Sequence, residues 1–184
     1  MSRRVDNFII RDADGVRTAN SLVLGRGFQV ADTAGGLPEL AGAVFTGAKV
    51  WLTASVPIPN LTETVLPFGQ VDLDSGGFWS AAQPTRLTIP RGMGGVYLVV
   101  AHGVFAGGAE ANRMTGFRLN GTSILGLSRL VVAGSSIAVV ATQIVRLQGN
   151  DYLDMRMYQD SGATINAIGT QSYETSFMIT RLGG

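Results

Sequence analysis

From Val44 onward the apolar positions fall into short runs, alternating or continuous, each closed by Gly, Pro, Asn or Asp. That spacing belongs to an all-β sandwich and carries no helical period. A first strand is predicted over 49–56, ended by Pro57 and Pro59, a second over 63–68, and a short one over 86–89 before Pro90. The longest run, Gly95–Phe105, is apolar on both faces, with Val96, Leu98 and Val100 on one and Tyr97, Val99 and Phe105 on the other. A strand apolar on both sides fits an inner sheet that also meets a neighbouring subunit.

Residues 112–119 and 123–127 form a predicted hairpin across Asn120-Gly121, a pair that tolerates the positive φ angles of a type I′ turn. Ile137–Leu147 reads as another apolar strand. Residues 152–158 alternate, with Leu153, Met155 and Met157 inward and Asp154 and Arg156 outward. A strand over 172–182 closes the domain. Residues 1–42 have a different texture, rich in turn-formers, with apolar bursts at Phe8-Ile9-Ile10 and Leu22-Val23-Leu24 and a Gly/Pro-rich stretch over 31–42. They read as an extended arm and linker, and 43–184 as the main domain.

Composition sharpens this picture. Of 184 residues 46% are hydrophobic and only 15% charged, so the chain is expected to bury surface against partner subunits as well as in its core. Disorder requires the opposite balance, and no apolar run reaches the roughly 20 residues of a spanning helix. A net charge of +1 leaves no electrostatic footprint for nucleic acid. The absence of cysteine removes disulfides, thiolate metal sites and thiol nucleophiles. The first residues lack the apolar stretch of a signal peptide, so export by that route is not expected.

Phe68, Asp74, Trp79, Gly95 and Tyr97 stand where the C1q/TNF-like jelly-roll signature places an aromatic, an acid, an aromatic and Gly-x-Tyr opening a long apolar strand. Asn120-Gly121-Thr122, the turn at Asn150-Asp151, and Ser176-Phe177 leading to Leu182 resemble further motifs of that family, in the right order. The chain departs from the pattern at Leu87, which holds an aromatic position, and at Val99 and Ala101, which replace alternating aromatics. These departures indicate a divergent, non-animal member. The segment from Ser55-Val56-Pro57 to Asp74-Ser75-Gly76-Gly77 is similar to C1q-like domains of tailed-bacteriophage structural proteins.

The resemblance implies an all-β C1q/TNF-like jelly-roll sandwich with an extended N-terminal arm, assembled as a homotrimer. It implies a non-enzymatic virion protein at the particle surface, a capsid decoration or head-fibre knob that stabilises the particle or binds the host. A minor tail or tail-tip receptor-binding protein and a secreted C1q-like ligand are the alternatives. The expected partners are the chain itself, capsid or tail proteins, and a host-surface glycan or protein, with neither nucleic acid nor membrane.

The residues expected at the trimer interface or in the core are Tyr97, Val99, Phe105, Phe177 and Ile179. Phe8, Ile9, Ile10, Leu22 and Leu24 are the candidate docking residues of the arm. The polar stretch 160–171, with Asp160, Thr164 and Asn166, is the candidate receptor loop, since binding concentrates on loops carried by a rigid scaffold. No cofactor is expected. Calcium at Asp72 and Asp74 is weighed against a plain turn, and the turn is preferred. His102, the single histidine, has no nucleophile elbow to serve and reads as structural. Phe78 and Trp79 are expected in the core.

Overall fold

The computed structural model of the chain describes residues 45–171 and 173–184 and, before them, the backbone of four short strands. These four are β1 (Arg3–Val5), β2 (Phe8–Asp12), β3 (Gly15–Ala19) and β4 (Leu22–Leu24). β2 and β3 pair antiparallel down to Asp12↔Gly15, and β1 pairs with β4. The candidate docking residues Phe8, Ile9, Ile10, Leu22 and Leu24 fall on β2 and β4, with their side chains outside the described residues. The chain divides into two units, Met1–Val44 and Phe45–Gly184.

The second unit is built from two antiparallel sheets. One contains β5 (Gly47–Trp51), β6 (Val56–Ile58), β8 (Gln70–Asp74), β10 (Gly95–Phe105), β13 (Ile137–Leu147), β15 (Ile165–Ala167) and β16 (Ser176–Gly183), in the order β6-β15-β10-β16-β5-β8 with β13 on β10. We call it the inner sheet. The outer sheet contains β7 (Thr64–Val65), β9 (Leu87–Thr88), β11 (Gly108–Leu119), β12 (Ser123–Gly134) and β14 (Tyr152–Gln159), in the order β12-β11-β14-β7 with β9 also on β14. No helix occurs among the described residues.

The predicted strand over 49–56 is two strands, because the chain bends at Thr53 and Ala54 before β6 starts. Pro57 lies inside β6 and does not end it. It can, since β6 is an edge and needs no second row of amide donors. β8 and β15 were not predicted. β15 is a correction to the receptor loop: Ile165 and Ala167 are buried and Asn166, exposed between them, pairs with Pro57 of β6.

Between the sheets lies an aromatic spine. Phe68 stacks on Phe177 at 6.0 Å between centroids, and Phe117 of the outer sheet meets Phe177 at 6.1 Å. Phe78 meets Tyr97 edge-on at 6.2 Å. Tyr97, Val99, Phe105, Phe177 and Ile179 are all 0% exposed within the single chain, so they are core. Each such burial stabilises the fold by about 1.5–3 kcal/mol. Phe78 is buried and Trp79 packs partly buried against the same cluster. Leu87, in its departure from the aromatic pattern, is also fully buried.

The glycine of the Gly95-x-Tyr97 pair has a steric cause. A Cβ on Gly95 would lie 2.3 Å from the Gly183 carbonyl oxygen, where β16 crosses close. Asn120 and Gly121 have φ of 50° and 74°, as the type I′ turn requires. The Asn120 amide reaches the other recognised turn, donating to Asp151 Oδ1 at 3.0 Å and accepting the Tyr152 N–H at 2.9 Å.

Candidate functional surfaces

Alternation along β10 leaves one face for the core and the other outside. On that outer side the register sets Val140, His102, Ser176 and Trp51 in one row across β13, β10, β16 and β5. The next row is Thr142, Val100, Met178, Lys49 and Leu73, and the third is Ile144, Leu98 and Thr180. Leu73, Val140 and Ile144 are 51%, 43% and 62% exposed, while Leu98, Val100 and Met178 are partly buried by one another. The charge within these rows, Lys49, is paired with Asp72 at 2.8 Å. A predominantly apolar, charge-neutral sheet face spanning several strands is unlike an ordinary solvated surface.

The outer sheet carries the second feature on its own outward face, a groove of about 260 Å3. Its floor is Met114 and Gly116 on β11, its walls are Leu127 and Arg129 on β12 and Arg156 and Tyr158 on β14. In the row Leu127–Gly116–Arg156 the glycine is buried, and a Cβ there would meet the Gly126 carbonyl oxygen at 2.6 Å and Leu127 Cδ1 at 3.0 Å. At one end Glu63 is held by two guanidinium groups, Arg118 Nη2 at 2.7 Å and Arg156 Nη1 at 3.0 Å. Arg156 also donates to Asp154 through Nε and to the Gly121 carbonyl through Nη2 at 3.2 Å. The Asp154 bond, then Glu63, hold the Arg156 pKa above its ordinary value against the opposing effect of burial.

At the other end the Asp160 carboxylate accepts the Asn112 backbone N–H at 2.7 Å and the Asn112 side-chain amide. These two bonds, with Arg129 and Arg113 nearby, keep the Asp160 carboxyl below its usual pKa, so it is anionic at neutral pH. Arg129 donates through Nε to Asn112 Oδ1. No hydrogen bond from its Nη groups, or from the Tyr158 hydroxyl, is made to any described residue.

Asp160, placed in a receptor loop by sequence, thus belongs to this groove, while Asn166 lies on β15 of the inner sheet and Thr164 is exposed just before it. Asp72 and Asp74 are each committed elsewhere. Asp72 pairs with Lys49, and Asp74 accepts the N–H groups of Gly76, Gly77, Phe78 and Trp79 at 2.8 to 3.2 Å. That is the preferred turn chemistry, and no group of three metal-ligating side chains occurs among the described residues. His102 Nδ1 donates to the Glu174 carbonyl at 2.8 Å, which ties β10 to the loop before β16.

The groove was missed by sequence reasoning, although its parts alternate outward as predicted for Arg156. The available signal was Gly116, a glycine inside a strand, which marks a place left open or closely approached.

Strand order, two antiparallel sheets and an aromatic core define a jelly roll, and its solved relatives in shape are TNF-like. The crystal structure of murine APRIL at pH 5.0 superposes with a TM-score of 0.57 at 11% identity, over 75% of this chain and 99% of that one. The same protein at pH 8.0 gives 0.55 at 12% identity, over 75% and 99%. Eiger TNF from S. frugiperda gives 0.53 at 11% identity, over 76% of this chain and 93% of that one. The fold is therefore a TNF-like jelly roll. No protein-family model and no curated protein matches the chain.

Proposed function

We propose that the chain is a non-enzymatic, homotrimeric binding knob of a bacteriophage particle, with residues 1–42 as the arm that docks it on capsid or tail proteins. The observation that carries the trimer is the neutral apolar face of β13, β10, β16 and β5, centred on Leu98 and Val100. An exposed apolar face of this kind marks a contact surface, and further copies of the chain arranged with cyclic symmetry would cover it in a closed assembly. The phage reading is supported by the resemblance over Ser55 to Gly77, and a capsid decoration or head-fibre position is preferred to the tail.

Light scattering on the purified chain tests the assembly. The expected mass is three times 19.3 kDa, and Leu98→Glu is expected to give a folded monomer, because three carboxylates would be buried without partners. A wild-type chain that stays monomeric at all concentrations would overturn the trimer. Gold labelling of intact particles separates head from tail, and unlabelled particles would remove the virion assignment.

A further inference from the structure

We propose that the groove on the outer sheet binds an acidic sugar residue of a surface glycan. This rests on reading the chain as a surface-displayed binding domain and gives that reading a site. Floor and rim differ in chemistry in the way a pyranose does. Met114 and Leu127, on either side of Gly116, offer an apolar bed for the C–H face of a ring. Around them the Asp160 carboxylate accepts, the Arg129 Nη groups donate, and the Tyr158 hydroxyl does either. Vicinal sugar hydroxyls, each both donor and acceptor, are matched by an acceptor and a donor held side by side, and Asn112 holds them so by bonding both Asp160 and Arg129.

One arginine selects the acidic class. Three arginines (118, 129 and 156) and two carboxylates (Glu63 and Asp160) line the groove, and Asp154 sits beside Arg156, so the charges balance and Arg129 is the groove arginine with no hydrogen bond to a carboxylate of the described residues. Arg118 and Arg156 are each paired with Glu63 and, for Arg156, with Asp154 as well. Arg129 keeps its fork of Nη donors, the geometry that suits a carboxylate. At about 260 Å3 the groove falls below the roughly 300–1,000 Å3 of drug-sized sites and suits a unit of one or two rings. It also opens on the opposite side of the sandwich from the apolar face of the inner sheet, so assembly through that face leaves it accessible.

The test uses the full chain labelled at its methionine methyls, titrated with the methyl glycosides of glucuronic acid and of N-acetylneuraminic acid, and with methyl glucoside as the neutral control. The expected result is a saturable shift of the Met114 methyl with at least one acidic sugar, at least tenfold weaker with methyl glucoside. Arg129→Ala, at an exposed position, should weaken it tenfold or more while leaving the Met155 and Met178 resonances in place. Tyr158→Phe should weaken it severalfold. Absence of any saturable shift, equal response to the neutral sugar, or an undiminished response in Arg129→Ala would each overturn the proposal. Failure of the trimer in light scattering would not touch this result, and a trimer that binds no sugar would leave the assembly standing, so the two readings fail separately.

Discussion

Asp74 shows how much one side chain can organise. Its carboxylate collects four consecutive N–H groups, from Gly76 to Trp79, and so delivers Phe78 to the core against Tyr97. Bonds to a charged acceptor are worth about 1.5–3 kcal/mol net, and donors left bare cost more where they are shielded. Asp74→Ala is expected to lower unfolding free energy by about 2–3 kcal/mol in urea titration. A loss below about 0.5 kcal/mol would mean that water satisfies the turn equally well. At this scale the sequence was informative about type and poor about partners. The signature acid at Asp74 was legible as a turn residue. The exchange between Asp160 and Asn112 was not, because it joins strand β11 to the end of β14 and depends on register.

Among the elements, the best-read strands are those whose pattern is strongest. Gly95–Phe105 and Ile137–Leu147 have the bounds that their apolar runs mark. β11 begins earlier than the pattern shows because Arg113 points inward, 1% exposed, with its guanidinium on the carbonyls of Ala109 and Asn112. Burial lowers the pKa of that arginine and disguises the alternation of its strand. β12 continues past 127 as an edge strand exposed over much of its length, so no inward stripe announces it. The Asn120-Gly121 turn was legible, and it also docks on the turn before β14. Asn120→Gly keeps the left-handed backbone and loses the two amide bonds, so a loss of about 1 kcal/mol is expected. Asn120→Ala adds the cost of a Cβ at positive φ, about 1 kcal/mol more. Comparing both urea midpoints separates the two contributions, and equal losses would show that the backbone conformation costs alanine nothing.

For the molecule as a whole, the fold class followed from strand spacing and from the signature residues, which converge on one aromatic core. The groove did not follow, since it depends on the register that sets side chains of β12, β11 and β14 beside one another. If the apolar face of the inner sheet is covered by further copies, folding and assembly are one equilibrium. The melting temperature should then fall by several degrees on a hundredfold dilution in calorimetry. A midpoint independent of concentration would argue that the face is solvated.

The position of β16 has a consequence in time. It lies between β10 and β5, binding Val99 through Ile179 on one side and Ala48 through the same residue on the other. β5 is among the first strands of the domain to leave the ribosome and β16 is the last. Until β16 is synthesised, β5 and β10 have no link within their sheet, and Phe177 is missing from the centre of the aromatic spine. The nascent domain must therefore wait with its central seam open. Closure is a late, long-range and intrinsically slow event, during which the exposed strand edges are vulnerable to pairing with another chain.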